Sequence, residues 1–138
     1  MAALSAARQT KSRSLGKKVS YEMDASATIY AGSLVMIKST GEAAAATAEA
    51  SNRGIVGVAT QTVTSTASGA ERITVQEGIF LVDGVSINFA SVGSKVYASD
   101  DQTVSVTQAS NEPLAGVCAE AVSSTSAWIE CSLTNSKL

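Results

Sequence analysis

Residues 51–59, Ser51-Asn52-Arg53-Gly54-Ile55-Val56-Gly57-Val58-Ala59, return fifty-nine positions later as Ser110-Asn111-Glu112-Pro113-Leu114-Ala115-Gly116-Val117-Cys118. In both copies a Ser-Asn turn leads into a short apolar run broken by a glycine and followed by valine. That is the punctuation of a turn and strand, with the glycine marking a bulge or a close backbone approach. Two flanking blocks recur in the same order. Gly32-Ser33-Leu34-Val35-Met36 matches Gly93-Ser94-Lys95-Val96-Tyr97 at an offset of 61. Arg72-Ile73-Thr74-Val75 aligns loosely with Trp128-Ile129-Glu130-Cys131 at an offset of 56. The offsets differ only across expected loops, where insertions cost little. A β-unit duplicated over about residues 31–76 and 92–133 is the expectation.

The duplication bears on an ambiguous segment. Glu42 to Ala50 has the propensity of a helix, yet its partner in the second half, Asp101 to Ala109, contains the alternating Thr103-Val104-Ser105-Val106-Thr107. The first segment therefore reads as a weak strand, with a short helix as the alternative. Val19, Tyr21 and Met23 alternate with polar residues and form a half-buried strand, and Thr28 to Tyr30 a short second one. Between the halves, Gly78-Ile79-Phe80-Leu81-Val82-Asp83-Gly84 is apolar between glycines, as in a strand buried on both faces, and Val85 to Phe89 continues it. Eight to ten short strands with Gly, Asn and Asp turns make an all-β chain, a small β-barrel or β-sandwich.

Composition agrees. A single domain of 138 residues buries roughly 68% of its unfolded surface, and with 45% apolar but only 4% aromatic residues the core must be aliphatic. The chain contains no histidine, which removes the usual general base and the commonest metal ligand. Cys118 and Cys131 lack zinc or redox spacing and read as small buried hydrophobes, or as one disulfide if they lie on paired strands. No Gly-x-Ser-x-Gly elbow, phosphate loop or calcium loop is present, and Asp83-Gly84 and Asp100-Asp101 read as turns. Trp128 reads as a core or subunit-contact residue. No catalytic residue, cofactor or metal is expected. No apolar stretch reaches the roughly 18 residues of a membrane span and no apolar signal core opens the chain, so synthesis in a cytoplasm is expected.

Charge is unevenly placed. Arg8, Lys11, Arg13, Lys17 and Lys18 give residues 1–18 a charge of +5 with no acid, while the other five bases face twelve acids and leave residues 19–138 at −7. Residues 1–16 read as a flexible basic arm ahead of a single β-domain over 17–138. The arm is either a solvated tail or a device that docks on an acidic neighbour, through those five residues.

The elements Ala31-Gly32-Ser33-Leu34-Val35, Ile55-Val56-Gly57-Val58-Ala59, Glu77-Gly78-Ile79-Phe80, Val92-Gly93-Ser94-Lys95-Val96-Tyr97 and Leu114-Ala115-Gly116-Val117 resemble, in order, the small cement or decoration proteins of tailed-bacteriophage capsids. The resemblance implies a non-catalytic protein on the virion capsid surface that bridges neighbouring subunits of the major capsid protein. It also implies self-association, often as a trimer, and an N-terminal arm used for anchoring. A head-fibre or receptor-binding module is the alternative, though so few aromatics suit it poorly. Nucleic acid is an unlikely partner, because a body at −7 repels phosphates.

Overall fold

The computed structural model describes residues 3–132. Residues 1–2 of the expected arm and 133–138 of the expected body lie outside this range. Among the described residues there are eleven strands and a single turn of 3₁₀ helix, Phe89–Ser91, and no α-helix. The strands are β1 (Ser12–Glu22), β2 (Ala27–Ile29), β3 (Leu34–Lys38), β4 (Ala43–Ala45), β5 (Asn52–Ala59), β6 (Val63–Ser65), β7 (Arg72–Val85), β8 (Lys95–Ala98), β9 (Thr103–Ser105), β10 (Leu114–Ser123) and β11 (Ser126–Cys131).

The fold is a closed five-stranded barrel with a sheet attached. The ring runs β7-β11-β10-β8-β9 and returns to β7, with every pair antiparallel except β7–β9. Closure leaves the ring without an open sheet edge. β7 is long enough to serve both parts. Its C-terminal half closes the ring, and its N-terminal half carries β1 on one side and β5, β3 and β4 beyond the other. A small β2–β6 ribbon accompanies this extension.

The two halves repeat one ladder. Leu34, Val35 and Met36 pair with Val58, Gly57 and Ile55, and Lys95, Val96 and Tyr97 pair with Val117, Gly116 and Leu114, with the same skipped residue in each. The hydrogen bonds around the ladder repeat as well. The Gly32 and Gly93 amides donate to the carbonyls of Ala59 and Cys118, and the amides of Ala59 and Cys118 donate back to the carbonyls of Ser33 and Ser94. Gly57 and Gly116 have φ of 153° and 152°. A Cβ on either would meet the carbonyl oxygen of the next strand, Gln76 at 2.5 Å or Glu130 at 1.9 Å. The glycine recurs because the bulge presses its α-carbon against a neighbouring backbone.

Four expectations need correction. Asp83-Gly84 is not a turn: both residues lie inside β7, where Asp83 pairs with Ser126 on one side and Thr103 on the other. The third block is displaced by two residues. Val58 and Ala59 pair with Gln76 and Val75, while Val117 and Cys118 pair with Glu130 and Ile129, so Val75 corresponds to Ile129 rather than to Cys131. A slip of two preserves the facing of every side chain, which is why alternation alone could not detect it. Next, β7 does not run on to Phe89. Ser86 takes a φ of 56° and turns the chain into the 3₁₀ turn. Finally, the repeat implies that Val58 and Val117 both point into the core, but Val58 is buried and Val117 only half so.

That last difference follows from how the halves pack. β3 and β5 bury both faces. Leu34, Met36, Ile55 and Val58 join a large cluster that draws on all five barrel strands, and Val35, Ile37, Val56 and Ala59 join a smaller one with Met23, Ile29, Ile73 and Val75. β8 and β10 bury a single face, Val96, Ala98, Ala115 and Cys118. Their other face, with Lys95, Tyr97 and Val117, reaches solvent.

Candidate partner-binding surface

β1 begins at Ser12, five residues before the expected start of structure, and its first seven residues are exposed. With no buried face, this stretch has no apolar alternation to read. Its place is set by the backbone ladder to β7, in which Leu15 lies opposite Gly78 and Lys18 opposite Gln76. The approach is close. A Cβ on Gly78 would lie 2.3 Å from the carbonyl oxygen of Ser14.

The five basic residues separate into two groups. Arg8 and Arg13 lie against the body. The Arg8 guanidinium donates to Gln102 Oε1 at 2.8 Å and to Asp83 Oδ1 at 3.3 Å, and its amide donates to the carbonyl of Ala31. Arg13 pairs with Glu120 at 2.6 Å and lies 4.0 Å from the centroid of the Trp128 ring. An exposed cation–π contact is worth about 0.5–1 kcal/mol, and together these contacts hold the segment over β10 and β11. Lys11, Lys17 and Lys18 are exposed and make no ion pair among the described residues. Their backbone is nonetheless tied down: the Lys11 carbonyl accepts from Leu81, and that of Lys17 from the Gln76 side chain. The result is three free ammonium groups, Lys17 and Lys18 on β1 and Lys11 just ahead of it, on a segment anchored to an acidic body.

Several other titratable groups have structural roles. Lys38 forms ion pairs with Asp24 and Glu49. Its hydrogen bond to Asp24 raises the lysine pKa and lowers that of the acid. Cys118 and Cys131 are buried and free. β10 and β11 are paired, but Cys118 faces Ile129, which puts the two sulfurs out of register for a disulfide. Burial, and next the Glu130 charge, pushes the Cys131 thiol up to about 12, so it stays protonated and inert. No group of three or more His, Cys, Asp or Glu side chains able to hold a metal occurs among the described residues.

Asp101 is buried, at 2% exposure, and its carboxylate accepts from the Leu4 amide at 2.8 Å. Desolvation pushes its pKa up and neighbouring Asp100 adds to this, against the Leu4 hydrogen bond and the Arg8 charge. A pKa raised in the folded state means that native protein binds the proton more tightly. The contribution to stability is therefore present below the ordinary aspartate range and is lost as pH rises through the folded value. Asp101→Asn removes the titration. The melting temperature of the variant minus that of the wild type should fall as the solution is acidified through this window. A constant difference would mean that Asp101 does not titrate there.

A family model described as phage cement protein matches residues 14–133. The chain belongs to the phage cement protein family. It is thus a phage capsid-associated structural protein located on the virion, as the resemblance noted in the sequence implied. No curated protein and no solved structure matches the chain. The cement match includes β1 from Ser14 onward, so Lys17 and Lys18 lie in the family region while Arg8, Lys11 and Arg13 precede it. Among the described residues no helix is long and apolar enough to cross a membrane.

Proposed function

We propose that this cement protein binds the outer surface of an assembled phage capsid and stabilises it by bridging subunits of the major capsid protein, with Lys11, Lys17 and Lys18 of the N-terminal segment as contacts. The observation that carries the reading is the separation of charge: three free lysines, two on the exposed part of β1 and one just ahead of it, fixed by main-chain bonds to a body at −7. Holding the strand beforehand lowers the entropy lost on docking. Arg8 and Arg13 act in support, fastening the strand through Asp83, Glu120 and Trp128.

The copies associate with one another as well, a trimer being the arrangement the family resemblance suggests, and are made in the host cytoplasm where shells assemble. A clip that engages only the assembled shell stabilises it by mass action, and several weak contacts on a repeating lattice add up through effective concentration. No chemistry is required of it.

Cosedimentation with purified expanded shells tests the proposal. Surface ion pairs contribute roughly 0.5 kcal/mol each, so reversing Lys11, Lys17 and Lys18 to glutamate should weaken shell binding about tenfold and flatten its dependence on salt. The folded body should melt as before. Unchanged affinity and salt dependence would remove these lysines from the interface, and wild-type protein that neither binds shells nor raises their melting temperature would refute the function.

A further inference from the structure

Phe89 is 86% exposed, although the chain contains only two phenylalanines. It is not on a loose loop. Asn88 caps the 3₁₀ turn by accepting from Ala90, the Ser91 hydroxyl accepts from the Asn88 amide at 3.1 Å, and Ser91 itself is buried. The ring is therefore held out into water by a braced turn. Val92 and Val122 are also half exposed. Phe89 forms one wall of a groove of about 280 Å³ whose other apolar lining is Ile87, Ala121 and Val122, with Asn88, Ser123 and Ser124 at its polar side. Projecting ring and groove are adjacent on one surface.

The groove itself lacks charge. Ile87–Phe89 and Ala121–Ser124, the two segments that line it, contain no acidic or basic residue. This limits what can cover it. Two copies of a body at −7 repel wherever their acids meet, so a patch without charge is where they approach at least electrostatic cost. A surface carrying both an apolar projection and a matching groove is complementary to itself.

We propose that this patch is the contact between copies of the chain, Phe89 of one copy seating in the Ile87–Ala121–Val122 groove of the next. The inference deepens the cement reading, which supplies the reason for copies to lie side by side. The groove is lined by seven residues, far fewer than the roughly 20–30 a side of a standard interface. The contact is weak in free solution and strengthened where a shell holds neighbours together.

Sedimentation velocity on the full chain over a concentration series tests it. The wild type should associate reversibly, and Phe89→Asp should weaken that association about 30-fold or more, as loss of a central aromatic anchor does. Circular dichroism should show an unchanged fold, since the ring is outside the core. Phe89→Ser, which adds no charge, should weaken association in the same direction, and the lysine-reversed protein should associate as the wild type does. A wild type monomeric throughout, or Phe89 variants that associate equally well, would overturn the inference. So would variants that keep their association but lose shell binding, which would assign the patch to the capsid and leave the cement reading intact. Failure of that reading would instead appear as wild-type protein that self-associates through Phe89 but does not bind shells.

Discussion

Alanine at position 116 should destabilise the domain by roughly 3 kcal/mol or more, combining the cost of a strained backbone with that of overpacking. The φ of 152° excludes most side chains, and the added methyl would stand 1.9 Å from the Glu130 carbonyl oxygen and 3.4 Å from the Cys131 α-carbon. Neither neighbour is a flexible side-chain end. Both belong to β11, which also pairs with β7 to close the barrel, so relief would require opening the ring at that seam. Gly57→Ala should act in the same way with a somewhat smaller effect, its nearest obstacle being the Gln76 carbonyl at 2.5 Å. Gly93→Ala is the control. That residue also has a positive φ, 84°, but no heavy atom lies within 4 Å of the added carbon, leaving only the conformational term of about 1–2 kcal/mol. Urea unfolding of the three variants should rank Gly116 first, Gly57 second and Gly93 last. If Gly116→Ala cost no more than Gly93→Ala, the close approach at the bulge would not be what confines these positions to glycine.

The repeat was readable because bulge glycines tolerate no substitute, so Gly57 and Gly116 stand out even where neighbouring residues have diverged. Features lacking such a constraint were harder to place. Ala43–Ala45 has helical propensity and forms a strand because Ile37, Met36 and Val35 pair with it, a tertiary effect that overrides local preference. Ser12–Lys18 is exposed along its length, and the bonds that fix it are backbone ladders and two arginines that reach far along the chain. Composition marks this segment as charged and is silent on where the charge is held. The uneven distribution of charge was visible; its division into two anchoring arginines and three free lysines was not, because Asp83 and Glu120 lie 75 and 107 positions away from their partners. Phe89 was hidden for the opposite reason. In sequence it completes an alternating apolar run, and only the left-handed Ser86 turns it out of the sheet.

Aspartate at position 58 should abolish folding, whereas aspartate at the corresponding position 117 should be tolerated. Val58 is 4% exposed within the large cluster, opposite Leu34 and Gln76. A carboxylate there would have no cationic partner in the cluster and would cost several kcal/mol, a large part of the 5–15 kcal/mol that stabilises a domain of this kind. Val117 occupies the same place in the ladder, but its neighbours are Lys95 and Glu130 and it is half-buried. Water can reach a carboxylate at that point, and the Lys95 ammonium on the adjacent strand offsets the repulsion from Glu130. The expected cost is about 1 kcal/mol, that of an ordinary substitution. Soluble yield and urea midpoints measured side by side decide the matter. Equal damage from both substitutions would mean that the second half also buries this face, for instance against a neighbouring copy. Repeating the Val117→Asp measurement with Phe89→Asp present would separate those cases, because a cost arising between copies disappears once they come apart, while a cost within the barrel remains.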